Sequence, residues 1–228
     1  MMNSKALRQR AWCSLKGKYW LAFLTTVIVS LICSVGAFFL TYSNKMIGIT
    51  DAVPADELDA TLKAGAIMIA AMSFAVSIIG TVLTTFISNP MSIGNNKYFI
   101  DNTTGKPKLS TIFYGFKTKY MRNVGVLLLA EIKLMLWSLL FIIPGIIKAF
   151  EYAIIPYILA DDSSISSKDA FKKAKEMMRG NKWRLFKLNF SFIGWVLLCI
   201  PTVGLGALFL VPYVEAANAE FYMELKSK

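Results

Sequence analysis

Hydrophobic and polar positions along this chain fall in long blocks. Three stretches carry no charged residue: Tyr19 to Asn44, Ala64 to Asn96 and Leu188 to Val214. Each exceeds the roughly 20 apolar residues that a helix needs to cross the hydrocarbon core of a bilayer. A fourth apolar region, Val124 to Ala160, is interrupted by Glu131, Lys133, Lys148 and Glu151 and is too long for one span. Pro144-Gly145 divides it, because proline lacks an amide donor and glycine tolerates positive φ. Pro201-Thr202-Val203-Gly204 divides the last stretch in the same way. The pattern predicts six transmembrane helices near 21–43, 64–88, 124–143, 146–160, 183–200 and 204–218, paired as three hairpins. The first apolar run is longer than the 7 to about 15 residues of a signal-peptide core, and no A-x-A-like site follows it, so a retained signal anchor is expected.

Between the spans, apolar positions recur at helical spacing. Leu109, Ile112, Phe113, Phe116 and Tyr120 predict one amphipathic helix. Ala170, Phe171, Ala174, Met177 and Met178 predict another, begun by the capping-box-like Ser166-x-x-Asp169 and stopped by Gly180. Leu7, Ala11, Leu15 and Tyr19 outline a third. The expected fold class is all-α: a polytopic membrane helix bundle with basic amphipathic interfacial helices, forming a single integral membrane domain over 1–228.

Composition strengthens this reading. Of 228 residues, 56% are hydrophobic and 17% charged, more apolar surface than a soluble chain of this size can hide. The net charge of +11 would suggest nucleic-acid binding in a soluble protein. Here the cations lie between apolar runs, so the expected partner is the lipid bilayer and not nucleic acid.

Their placement sets the orientation, since cytoplasmic loops carry the excess of Lys and Arg. The arm before residue 21 has five basic residues and no acid, loop 97–123 has six against one, and loop 161–187 has eight against four. Loop 44–63, by contrast, holds Asp51, Asp56, Glu57 and Asp59 against Lys45 and Lys63. Segments 1–20, 97–123 and 161–182 are therefore expected in the cytoplasm, with the amino terminus. In the tail, Glu215, Glu220 and Glu224 outnumber Lys226 and Lys228, so charge alone also allows five spans.

Repetition favours six. Lys16-Gly17, Trp20 and Phe23 share their spacing with Arg179-Gly180, Trp183 and Phe186. Trp137, Pro144 and Pro156-Tyr157 run parallel to Trp195, Pro201 and Pro212-Tyr213, and Pro90, Asn96 and Phe99 to Pro212, Asn218 and Phe221. These correspondences describe three units, each a basic helix followed by a hairpin.

Several phrases, among them Leu15-Lys16-Gly17-Lys18-Tyr19-Trp20, Phe141-Ile142-Ile143-Pro144-Gly145-Ile146-Ile147, Tyr157-Ile158-Leu159-Ala160-Asp161, Met178-Arg179-Gly180 and Phe192-Ile193-Gly194-Trp195, resemble the bacterial membrane family catalogued as domain-of-unknown-function family 975. The resemblance implies a multi-pass protein of the bacterial plasma membrane. It carries no catalytic residues with it.

The chemistry expected of the chain is correspondingly limited. It has no histidine, so the usual general base and commonest metal ligand are missing. Cys13, Cys33 and Cys199 have no C-x-x-C spacing, and no phosphate-binding loop is present. Neither enzyme activity nor a cofactor or metal is expected.

Charges inside membrane spans usually face a bundle interior, which makes Glu131, Lys133, Lys148, Glu151 and Glu215 the candidate intramembrane polar residues. Lys148 and Glu151, three apart, are placed to form an ion pair. The stripe Ser73, Ser77, Thr81 and Thr85, with Ala66, Ala70 and Ala71, predicts close helix packing. Lys16, Lys18, Lys117, Lys119, Arg122, Lys172, Lys173, Lys175 and Arg179 are the cations expected to face anionic lipid. A protein partner or a second copy of the chain is the other expected occupant of that surface. The alternative function is a transporter or channel using Glu131, Lys148 and Glu151.

Overall fold

The structure, a computed structural model, describes residues 3–51, 60–199, 201 and 205–227. Residues 52–59 of the acidic loop expected at 44–63, and 202–204 of the turn expected at 201–204, lie outside these described residues, and the rest of that loop is helix. The described residues form helices joined by short turns, with no strand among them.

The helices are α1 (Ser4–Leu15), α2 (Tyr19–Asp51), α3 (Ala60–Leu83), α4 (Asn89–Thr103), α5 (Tyr114–Lys117) and α6 (Tyr120–Leu140), followed by α7 (Ile142–Tyr152), α8 (Ile155–Asp161), α9 (Ser167–Met178), α10 (Lys182–Phe190), α11 (Ile193–Cys199) and α12 (Leu205–Lys226). A π-helical turn, Thr84–Ser88, joins α3 to α4. It stands just before Pro90, whose missing N–H and bulky ring disfavour a regular α turn there.

Among the described residues, three continuous helical segments are long and apolar enough to cross a membrane: Ala64–Thr103, Tyr120–Leu140 and Ile142–Asp161. The bent pair Ser4–Leu15 and Tyr19–Ser34, at 97°, makes a fourth if it is one broken span.

The chain divides into two compact units. Unit 2, Ser30–Ser88, is a pair of apolar helical segments. Of the small-residue stripe in α3, Ser73 is buried while Thr81 is exposed and donates its hydroxyl back to the Ser77 carbonyl at 2.9 Å. That hydroxyl serves its own helix.

Unit 1, Met1–Val29 with Asn89–Lys228, holds the core. Its centre is formed by α4, α8 and α12, with α4 packed against both of the others. Tyr98 and Phe99 of α4, Ile155 and Ile158 of α8, and Phe221 and Tyr222 of α12 are fully buried there.

The basic helices pack onto this centre. α1 lays Leu7, Ala11 and Leu15 against α12, and α9 lays Ala170, Ala174 and Met178 against α7 and α8. The start of α9 is as the sequence predicts: Ser166 accepts from the Asp169 amide at 3.2 Å, and Gly180 follows the helix at φ +75°.

The amphipathic helix expected over 109–120 takes another form. A 3-10 turn, Leu109–Phe113, leads into the one-turn α5, and Lys119 at φ +41° breaks the chain before α6. The cause is backbone-to-backbone packing on α4. A methyl on Gly94 would overlap the Ile112 carbonyl, and one on Gly115 would overlap the carbonyl of Pro90. Asn123 secures the bend by donating to the Gly115 and Thr118 carbonyls at 3.3 and 2.6 Å.

Three predicted boundaries also move. α4 continues to Thr103, so much of the segment expected as a polar loop after residue 97 is helix. The break between α6 and α7 falls at extended Phe141, with Pro144-Gly145 inside the first turn of α7. Proline is harmless there because the first-turn amides have no intrahelical acceptor, and Gly145 lets Ser138 of α6 approach closely. The span expected over 183–200 is broken at Ser191-Phe192, between α10 and α11.

Candidate functional site

Two places in unit 1 bring several polar side chains together. The first is a cavity of about 350 Å³ lined by α4, α8, α10 and α12. Ser92, Asn95 and Asn96 reach it from α4, Tyr157 from α8, Asn189 from α10, and Glu215 and Asn218 from α12. Val29, Ala153, Ile154, Leu185 and Phe221 complete the wall. The Tyr157 hydroxyl donates to Glu215 Oε2 at 3.2 Å. Ser92 turns its hydroxyl back to the Asn89 carbonyl at 2.9 Å. The side-chain oxygens of Asn95 and Asn218 are buried without a hydrogen-bond partner. Among the described residues, Glu215 is the one carboxyl on the wall, and no Lys or Arg lines it.

The second place is Glu151, which is 3% exposed. Lys148 of the same helix donates to Oε1 at 2.8 Å, as the spacing predicts. Lys182, from α10, donates to Oε2 at 2.6 Å. Nothing in the spacing signalled this second lysine, 31 positions away. A carboxylate held by two ammonium groups is neutralised, and its two oxygens are occupied.

The remaining intramembrane candidates lie elsewhere. Glu131 is exposed and lines a smaller crevice with Asn89, Tyr152 and Pro156. Lys133 Nζ lies 3.9 Å from the centroid of the Phe171 ring, a cation–π contact. Glu131 thus lines that crevice, while Lys148 and Glu151 pair with each other.

The basic residues separate into two groups. Lys18 donates to the Gly105 carbonyl at 2.7 Å, and Arg122 donates to the carbonyls of Ser163 and Ile165 at 2.8 and 2.6 Å. These two cations lock chain turns. Lys16, Lys117, Lys119, Lys172, Lys175 and Arg179 are exposed, and Lys173 is half-buried.

Residues 140–228 match the family described as Protein of unknown function (DUF975). The DUF975 match begins at the end of α6 and takes in α7 to α12, including Glu151, Lys182 and Glu215. Of the phrases that suggested this family in the sequence, those from Phe141 onward lie within the match, and Leu15 to Trp20 lies outside it. No curated protein and no solved structure matches the chain.

Within the matched segment, the acidic pair Asp161-Asp162 is tied to neighbouring side chains and backbone. Asp161 accepts from Tyr222 at 3.0 Å and from Lys226 at 2.8 Å. Asp162 accepts from the Ser164 hydroxyl and amide at 2.6 and 2.8 Å, and these bonds hold its carboxyl below the ordinary range.

Proposed function

We propose that this chain is a six-span, non-enzymatic protein of the bacterial plasma membrane whose cytoplasmic basic segments engage anionic lipid. The observation that carries the proposal is the division of labour on the amphipathic helices. The apolar stripes of α1 and α9 are buried in the core of unit 1, while Lys172, Lys175 and Arg179 face outward. A helix whose apolar face is already covered cannot insert that face into lipid. What it offers a membrane is charge, worth about 1 kcal/mol per cation near an anionic surface.

The six-span arrangement is supported by a recurring local device. A residue with positive φ precedes the outgoing helix in each expected unit: Gly17, Lys119 and Gly180. Shortly beyond it a cation ties down the far end of that unit's returning helix. Lys18 bonds the turn after α4, Arg122 bonds the turn after α8, and Arg184 binds both oxygens of Glu224 near the end of α12 at 2.9 and 2.8 Å. The joined tips of α6 and α7 present large apolar side chains outward, including Leu139, Leu140, Phe141, Ile142 and Ile143. An apolar surface of that kind fits hydrocarbon surroundings.

The test is retention of phosphatidylglycerol by the purified protein in neutral detergent, measured by native mass spectrometry and by melting temperature. Replacing Lys172, Lys175 and Arg179 together with Gln is expected to weaken apparent lipid affinity by roughly 100-fold, the equivalent of about 3 kcal/mol. Equal retention by the triple variant and the parent would refute the proposal.

A further inference from the structure

We propose that the cavity between α4, α8, α10 and α12 is a binding site for a small alkylammonium-type cation, an activity separate from the engagement of lipid by the basic surface. The cavity wall is charged in one sense. Glu215 supplies a carboxyl, and among the described residues no Lys or Arg lines the wall. The buried carboxylate of Glu151 shows the contrasting solution, with a lysine on each oxygen. At Glu215 the protein provides a tyrosine hydroxyl in place of an ammonium group.

The amide oxygens give the second, independent indication. Asn95 is 7% exposed, and its side-chain oxygen has no donor, as is also true of the Asn218 oxygen. Buried acceptors are nearly always satisfied, so two of them on one wall call for a donor that comes from outside the protein. An ammonium group carries several N–H donors and the charge that complements Glu215. Both needs are met by one group.

Size and lining narrow the ligand. About 350 Å³ is far more than one water or a bare ion occupies and falls at the lower end of small-molecule sites. Val29, Ile154, Leu185 and Phe221 line the rest of the wall, matching a small apolar body attached to the charged head. Asn189 is exposed, which leaves the cavity reachable from outside. The repeat bears on the same place. Asn96 and Asn218 each stand six residues after a helical proline, Pro90 and Pro212, and both line the cavity.

The experiment is a thermal-unfolding titration of the full chain in neutral detergent with ethylammonium chloride, beside NaCl and tetramethylammonium chloride at equal ionic strength and propionamide as a neutral amide. Ethylammonium is expected to raise the melting temperature saturably, and the other three are not. Glu215→Gln is expected to weaken the ethylammonium response at least about tenfold, the scale of one charged hydrogen bond. Leu139→Ala, at the exposed tip of α6 and away from the cavity wall, is expected to keep the response and serves as the folded reference. Asn218→Ala supplies a second test should Glu215→Gln fail to fold, again with about a tenfold loss. The proposal is overturned if ethylammonium gives no saturable shift, if Na⁺, tetramethylammonium or propionamide reproduces it, or if the folded Glu215→Gln or Asn218→Ala protein responds like the parent.

Discussion

α4 and the joined tips of α6 and α7 invert the relation between hydrophobicity and burial that holds in soluble proteins. α4 contains Asn89, Asn95, Asn96 and Asn102, and all four are buried. The tips consist almost wholly of Leu, Ile and Phe, yet Leu139 is 83% and Ile142 76% exposed. Had water chosen which surface to hide, the two regions would have exchanged places. The difference shows that α4 is held in unit 1 by close backbone contact at Gly94 and by its own buried Met91, Ile93, Tyr98 and Phe99, with the asparagines carried in beside them.

Substitutions in the two regions can break this comparison. The largest effect is expected at the glycines. Gly94→Ala or Gly115→Ala sets a methyl against a carbonyl of a neighbouring element, where only a backbone shift makes room. The expected cost is about 3 kcal/mol or more, seen as a lowered melting temperature and a loss of monodisperse protein. Gly125→Ala, in α6 with open space around it, is the matched control and is expected to stabilise by roughly 0.5–1 kcal/mol. Equal behaviour of the three variants would remove the packing explanation.

Next in size is Glu151→Ala, which leaves Lys148 and Lys182 facing each other without their shared carboxylate. Because both lysines retain partial exposure, a cost of about 2 kcal/mol is expected, below that of a fully buried pair. Urea or thermal unfolding in detergent measures it. Lys148→Met is expected to cost less than Glu151→Ala, since Lys182 still serves the carboxylate. Leu139→Ala marks the opposite pole. Removing most of a leucine from the most apolar region is expected to change stability in detergent by no more than about 0.5 kcal/mol.

The smallest effect concerns pH. The folded carboxyl of Asp162 is depressed by its bonds to Ser164, so its contribution exists above the unfolded carboxylate range and disappears as pH falls through the folded value. Melting curves of the parent and Asp162→Asn are therefore expected to differ near neutrality and to converge in acid. A gap that persists at low pH would contradict this assignment.

Local features were legible in the sequence and contacts between distant residues were not. The Ser166 cap, the Gly180 stop and the Lys148–Glu151 pair each depend on residues within a few positions of one another, and each is present. The break near Pro144 was sensed through proline and glycine, but its place at Phe141 depends on how α7 returns along α6. Hydropathy assigned the polar second half of α4 to a loop, because a method that weighs apolar content cannot see asparagines buried by packing. Lys182 at Glu151 and Tyr157 at Glu215 come from other helices and left no periodic trace. The spacing shared by Pro90–Asn96–Phe99 and Pro212–Asn218–Phe221 was visible only as a repeat, and the meeting of Asn96 and Asn218 on one cavity wall comes from the packing of α4 against α12.

The most direct test of the inside-out reading is the environment of residue 139. In proteoliposomes of the full chain, with Cys13, Cys33 and Cys199 replaced by Ser, a nitroxide at residue 139 is compared with one at residue 175 for collision with oxygen and with a water-soluble nickel complex. Oxygen is predicted to relax the label at 139 and the nickel complex that at 175. A label at 139 that meets the nickel complex as readily as the label at 175 would contradict the account.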